Sequence, residues 1–239
     1  MADFAACEES VRRRDPDRYF SALFAPAHKR PFLYALYALN YELARVAETA
    51  REPMLAEIRL AWWRETVEGA RVGRPRDHNV ARALAKTRAA NDLPQDLFDE
   101  MIAARSFDAS PDSFADMAAL EDYADATSGN LMRLVARVLG EVLDDLAREA
   151  GIAFALVGLL RSVPFHAARG KRFISDALVD EAAGAARSHL AAARKLALPA
   201  GALPAFLPAA LVPLYLKRND PPLWRRQLVF LRAAISGRL

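Results

Sequence analysis

The sequence predicts an all-α, single-domain protein. The chain is rich in Ala, Leu, Arg and Glu, all strong helix formers except where caps or prolines intervene. Apolar residues recur at spacings of three and four, and the alternation of a half-buried strand is essentially absent. No internal repeat or low-complexity linker divides the 239 residues, so one packed core is expected.

Taken in order, residues 1–15 contain no apolar core segment and are expected to lie outside the ordered fold. Asp3, Glu8, Glu9, Asp15 and Asp17 make the start too acidic for a transit peptide and unlike a secretory signal, which predicts a cytoplasmic protein. Helices are then expected at Phe32–Ala50, Met54–Val72, Asn79–Ala90, Gln95–Ser106, Ser113–Asn130, Leu131–Leu139, Val142–Val163, Ser175–Leu196 and Leu203–Lys217. A last basic helix is expected within residues 218–239, starting near Pro222. Turn signals such as Arg51-Glu52-Pro53, Gly73-Arg74-Pro75, Asn91-Asp92-Leu93-Pro94 and Ser110-Pro111-Asp112 separate them. Tyr34, Tyr37 and Tyr41 recur at three and four and predict a buried aromatic stripe, and of Trp62 and Trp63 only one can face the core. The stretch Leu196–Leu216 is uncharged and long enough to span a bilayer, but Pro199, Pro204, Pro208 and Pro213 favour a buried, kinked helix.

Several function classes are excluded. With 33 basic and 30 acidic residues the net charge is +3, which gives no field for nucleic acid. Neither dinucleotide-binding nor P-loop glycine motifs occur. Cys7 is alone, and no Cys/His spacing suits zinc. Ser10 and Ser21 have no base nearby in sequence to make either a nucleophile. The charge is unevenly spread: Asn91–Asp125 holds ten carboxylates against Arg105 alone, whereas Arg161, Arg169, Lys171 and Arg172 form a basic run with no carboxylate. Such a run is either a solvated loop or a metal-free anion site. Lys217–Arg238 adds six more basic residues against Asp220.

Specific strings resemble the squalene/phytoene synthase family of head-to-head prenyltransferases. They are Arg18-Tyr19-Phe20, Lys29-Arg30 leading into Ala35-Leu36-Tyr37-Ala38-Leu39, Trp63-Arg64 with Gly73, Tyr123 with Gly129, and Gly151-Ile152-Ala153 through Arg161 to Arg169-Gly170. The resemblance runs from about residue 11 to 216 and implies an isoprenoid synthase-type helical bundle around a central cavity. Active members present Asp-x-x-x-Asp from each of two helices, where residues at i and i+4 share a face and hold Mg²⁺ on a diphosphate. Here those positions fall on Ala44 and Glu48, and on Ser162 and His166, with Arg45 beside the first pair and Ala155 and Gly158 preceding the second. Of the four aspartates only one position keeps a carboxylate, so no cofactor is expected.

The departures resemble the aspartate-lacking branch of the family that serves respiratory complex I assembly. Asn40-x-Glu42-Leu43-Ala44, Trp63-Arg64-x-Thr66-Val67-Glu68, Leu160-Arg161-x-x-Pro164-Phe165-His166 and Leu214-Tyr215-Leu216 carry that likeness. It implies a non-catalytic accessory factor with complex I subunits or other assembly factors as partners, and a prenyl lipid in the old cavity, where Ala155 and Gly158 leave room. Two alternatives stay open. One is a Mg²⁺-dependent prenyltransferase condensing farnesyl or geranylgeranyl diphosphate through Glu42, Glu48, Asp122 and Asp125. The other is peripheral membrane contact through the basic C-terminal segment and Leu196–Leu216. Glu42, Arg45 and Glu48 lie on adjacent turns and are expected to form an ion ladder. The ligand-binding candidates are Glu42, Arg45, Tyr123, Asp125, Arg161, Arg169, Lys171 and Arg172; His166 is read first as a hydrogen-bonded helix-end or cavity residue.

Overall fold

A computed structural model describes residues 2–50, 52–168 and 172–239 of the chain. Its helices in chain order are α1 (Ala2–Arg14), α2 (Pro16–Ala22), α3 (Arg30–Ala44), α4 (Val46–Thr49), α5 (Pro53–Arg71), α6 (Asn79–Ala90), α7 (Gln95–Ala104), α8 (Ser106–Ala109), α9 (Met117–Ala124), α10 (Asn130–Leu139), α11 (Asp144–Ala167), α12 (Asp176–Ala193), α13 (Leu203–Phe206), α14 (Val212–Lys217) and α15 (Leu223–Ser236). No strand occurs among the described residues.

The N-terminal expectation is corrected, because α1 is ordered against α3 and α6 with Cys7 and Val11 fully buried. What the sequence hid is a long-range ion pair: the Asp3 carboxylate accepts from Arg82 at 2.8 Å and Lys86 at 2.7 Å on α6. These two donors hold the Asp3 carboxyl down at about 2.

Helix α3 is the hub, with every residue from Leu33 to Asn40 buried, as a helix apolar on all faces must be. Tyr34 and Tyr37 lie in the core while Tyr41 is half-exposed, and Trp63 is buried while Trp62 is half-exposed.

The expected break between two helices near residue 130 is a single π turn, Asp125–Gly129, joining α9 to α10. The turn crosses α11 closely: a Cβ on Gly151 would stand 2.5 Å from the Gly129 Cα, so position 151 needs glycine. Helix α11 also continues one turn past its expected end, carrying Pro164 within it; the missing N–H is lost only from the last turns.

The stretch Leu196–Leu216 is buried from Ala202 to Val212, while Leu196, Ala197, Ala200 and Gly201 are exposed; Pro204 lies in the first turn of α13, and Pro208 lies in the 3₁₀ turn Leu207–Leu211 that links α13 to α14. It is not the only stretch of spanning length, since α11 is also long and apolar enough to cross a membrane, yet packs against α9, α10, α12 and α14 inside the bundle. Helix α15 closes the fold by laying Phe230 and Ala233 on the 3₁₀ turn and α2. There the Arg226 guanidinium donates to the buried Asp17 carboxylate at 2.9 Å, and the Tyr215 hydroxyl donates to its other oxygen. Burial pushes the Asp17 carboxyl up against the pull of these partners.

Candidate functional site

Two helix ends converge on one cavity of about 550 Å³. The end of α3 with α4 brings Ala44, Ala47 and Glu48, the end of α11 brings Leu159, Phe165 and His166, and α8, α9 and the segment after α11 add Asp108, Tyr123 and Phe173. The positions where active relatives carry paired aspartates therefore face the same space. Ser162 lies one step aside, lining a small chamber of about 80 Å³ that shares Leu159, His166 and Phe173 with the main cavity. Its hydroxyl is turned back onto its own helix, donating to the Leu159 carbonyl at 2.8 Å.

The polar floor joins Tyr123, one of the sequence candidates, to Arg105, Asp108 and Asn40, which were not among them. The Tyr123 hydroxyl donates to Asp108 Oδ1 at 2.6 Å and accepts from Arg105 Nη1 at 2.7 Å. Arg105 Nη1 also donates to Asp108 Oδ2 at 3.1 Å, and Nη2 donates to Asn40 Oδ1 at 3.3 Å. Burial drives the Tyr123 phenol up, so it stays a neutral donor at any physiological pH. A signal did exist: Arg105 is the lone cation of the acidic stretch, with Asp108 at i+3 and so on its own helical face. Asn40, 65 residues away, had none.

An aromatic wall adjoins the floor. Phe107 and Phe114 stack at 4.0 Å between centroids, and His166 meets Phe173 edge-on at 4.6 Å. The loop carrying Phe114 is tied to the segment after α11 by Phe114 N–H donating to the Phe173 carbonyl at 2.9 Å. His166 is thus a cavity-lining ring packed on aromatics.

Other candidates lie elsewhere. Arg45 pairs with Glu42 at 3.3 Å on a separate surface hollow shared with Trp62 and Trp63; among the described residues it does not reach Glu48, so the expected ladder is a single pair. The helix breaks at Arg45 between α3 and α4, which turns Glu48 toward the cavity and away from Glu42. Asp125 is neutralised by Arg133 at 2.6 Å and Arg148 at 3.4 Å, and Asp122 is exposed. Arg161 stacks on the Tyr215 ring at 3.7 Å and donates to the Asn219 carbonyl at 2.6 Å, away from the cavity. Arg172 pairs with Asp176 at 3.1 Å. Arg169 and Lys171 lie outside the described residues. The cavity is lined by neither Ala155 nor Gly158; a side chain at Gly158 would meet open space.

These residues do not fit a magnesium–diphosphate centre. Among the described residues only Glu48 and Asp108 bring carboxylates to the cavity, and Asp108 is engaged by Tyr123 and Arg105. Among the described residues no group of three or more His, Cys, Asp or Glu side chains is placed to hold a metal. An apolar wall of Ala, Pro, Leu and Phe over a satisfied polar floor instead suits an amphiphile.

Comparison with known proteins agrees with this geometry. The sequence profile described as squalene/phytoene synthase matches residues 11–178. Human NADH dehydrogenase (ubiquinone) complex I, assembly factor 6, is 30% identical over 171 residues, which cover 70% of this chain and 51% of that protein. The mouse protein of the same name is 30% identical over 240 residues, covering 89% of this chain and 72% of its own length. This chain thus spans about half of the human relative. Among solved structures, a dehydrosqualene synthase superposes with a TM-score of 0.79 at 16% identity, covering 99% of this chain and 96% of that one. The squalene synthase HpnC from Alicyclobacillus acidocaldarius gives 0.72 at 21%, covering 99% and 94%. At those identities the structural likeness shows the fold.

Proposed function

This chain belongs to the squalene/phytoene synthase family, and from that premise we propose that it is a non-catalytic member that helps assemble respiratory complex I, NADH:ubiquinone oxidoreductase, in the cytoplasm at the inner membrane. One observation carries this most directly. The two helix ends that would present four metal-binding aspartates do meet across a cavity, but they bring Ala44, Glu48 and His166 to it, with Ser162 bonded back to its own helix. Ionising a prenyl diphosphate needs a cluster of carboxylates holding divalent ions against the leaving group. Glu48 alone supplies too little charge for that work. The likeness to assembly factors over 89% of the chain supports complex I subunits, or other assembly factors, as the partners.

The cavity then serves as a holder. Its volume of about 550 Å³ and its apolar wall suit part of a prenyl chain, and the Arg105–Asp108–Tyr123 floor suits a small polar head. No metal takes part in this role.

Deletion of the gene in its host is the test. NADH:quinone oxidoreductase activity and intact complex I on native gels are expected to fall while succinate:quinone oxidoreductase is unchanged, with restoration by a Glu48→Ala copy. Normal complex I together with loss of a C30 or C40 hydrocarbon would establish a prenyltransferase instead.

A further inference from the structure

The outermost helix presents an unpartnered amphipathic face. Phe230 and Ala233 point into the fold, and Arg226 is held on the same side by the buried Asp17, so the rotation of α15 about its axis is fixed. At 100° per residue, Trp224, Leu228, Leu231 and Ile235 then fall within an arc of about 60° on the opposite side. All four are open to solvent: Trp224 by 59%, Leu228 by 39%, Leu231 by 50% and Ile235 by 84%. Scattered exposed leucines are ordinary, but a row of large apolar side chains one above another on a terminal helix is a contact surface.

Charge selects what covers it. Lys217, Arg218, Arg225, Arg232 and Arg238 are exposed on or beside this helix, and Asp220 is the one carboxylate among them. Arg225 and Arg232 lie about 70–90° from the centre of the apolar stripe, along one of its edges. The Arg225 guanidinium sits 5.1 Å from the Trp224 ring. A second copy of this chain docking through the same face would set these arginines against their own equivalents, which is repulsive. A bilayer carrying anionic phospholipids meets both halves of the pattern: the side chains of Trp, Leu and Ile enter the acyl boundary while the arginines stay among the headgroups.

We propose that the outer face of α15 docks this protein on an anionic membrane surface, with Trp224, Leu228, Leu231 and Ile235 inserted and Arg225 and Arg232 on headgroup phosphates. The contact belongs to the helix surface and involves neither the Leu196–Leu216 stretch, whose apolar centre Ala202–Val212 is buried, nor the cavity. It therefore stands whether or not complex I is the client.

Vesicle flotation with the intact protein tests this. The protein is expected to float with vesicles of equimolar phosphatidylglycerol and phosphatidylcholine, to stay behind with phosphatidylcholine alone, and to be released as salt rises. Each arginine near an anionic surface changes the partition coefficient about fivefold, so Arg225→Ala with Arg232→Ala is expected to lower it about 25-fold. Leu231→Ser with Ile235→Ser is expected to abolish flotation. Both pairs are exposed, so melting temperatures should match the parent, and a pair that melts early is replaced by Ile235→Ser or Arg232→Ala alone. Equal flotation on neutral vesicles, no flotation on anionic ones, or variants that float like the parent would overturn the proposal. A concentration-dependent dimer that disappears in the leucine–isoleucine variant would also overturn it, assigning the face to a second copy.

Discussion

Replacing Gly151 by alanine is expected to destabilise the protein, whereas the same change seven residues along α11, at Gly158, is expected to stabilise it. Both glycines are helical, so neither is required for backbone conformation. The difference lies in what a methyl group meets. At Gly151 it would stand 2.5 Å from the Gly129 Cα, 2.6 Å from the Gly129 nitrogen and 3.0 Å from the Ser128 carbonyl carbon, all backbone atoms of the π turn. Carbon atoms rest at about 3.5–4.0 Å, so α11 and the turn would have to separate by at least about 1 Å. Overpacking of this kind costs about 1–3 kcal/mol, here at the upper end because no flexible side chain can yield. Helix propensity returns up to about 1 kcal/mol, leaving a net loss near 2 kcal/mol. For a chain of this length each kcal/mol moves Tm by about 2–4 °C, so Tm should fall by about 4–8 °C. At Gly158 nothing lies within 4 Å, and the propensity gain of about 0.5–1 kcal/mol should raise Tm by about 1–4 °C. Scanning calorimetry of the two variants beside the parent decides it. If Gly151→Ala melts at or above the parent, the close crossing does not exist as described.

Three further outcomes can be checked. Tyr123→Phe removes a donor from Asp108 and an acceptor from Arg105 in a buried network, and should lower stability by about 2–4 kcal/mol, read as a Tm drop; an unchanged Tm would show the network to be idle. Asp3 has its carboxyl lowered from 3.8 to about 2 by Lys86 and Arg82, so the pair's contribution is full above about pH 4 and is lost as pH falls toward 2; Asp3→Asn should flatten the Tm-against-pH curve in that window, and parallel curves would refute the linkage. Ala47→Trp should fill the cavity and deplete any prenyl lipid seen by native mass spectrometry of the purified protein; equal lipid in variant and parent would place it elsewhere.

Much of the bundle was legible because helical periodicity and proline placement are local properties. The kinked, buried course of the centre of Leu196–Leu216, Ala202–Val212, followed from its prolines, and the split roles of Trp62 and Trp63 followed from helix geometry. The N-terminal helix was not legible, since its order depends on Asp3 meeting Arg82 and Lys86 some eighty residues away. Nor was the π turn, whose backbone crosses α11 at Gly151 in a long-range contact that no local pattern encodes. At the site, it was the family resemblance that pointed to Ala44, Glu48 and His166, which line one cavity from two helix ends. Spacing could not show that Asp125 is consumed by Arg133 and Arg148, or that Arg161 is stacked on Tyr215, because each partner lies on another element or further along the chain. Arg105 and Asp108 were overlooked for the opposite reason: their own pairing is local, but its meaning depends on Tyr123 and Asn40 closing over it.

The loss of the paired aspartates is tested most directly by incubating the purified protein with farnesyl or geranylgeranyl diphosphate and Mg²⁺ and measuring released pyrophosphate. Release no faster than in buffer with Mg²⁺ alone is expected, since among the described residues the other cavity carboxylate, Asp108, is engaged by Tyr123 and Arg105 and does not join Glu48 on a metal. Enzyme-dependent release accompanied by a C30 or C40 hydrocarbon, and abolished by Glu48→Ala, would contradict a non-catalytic role.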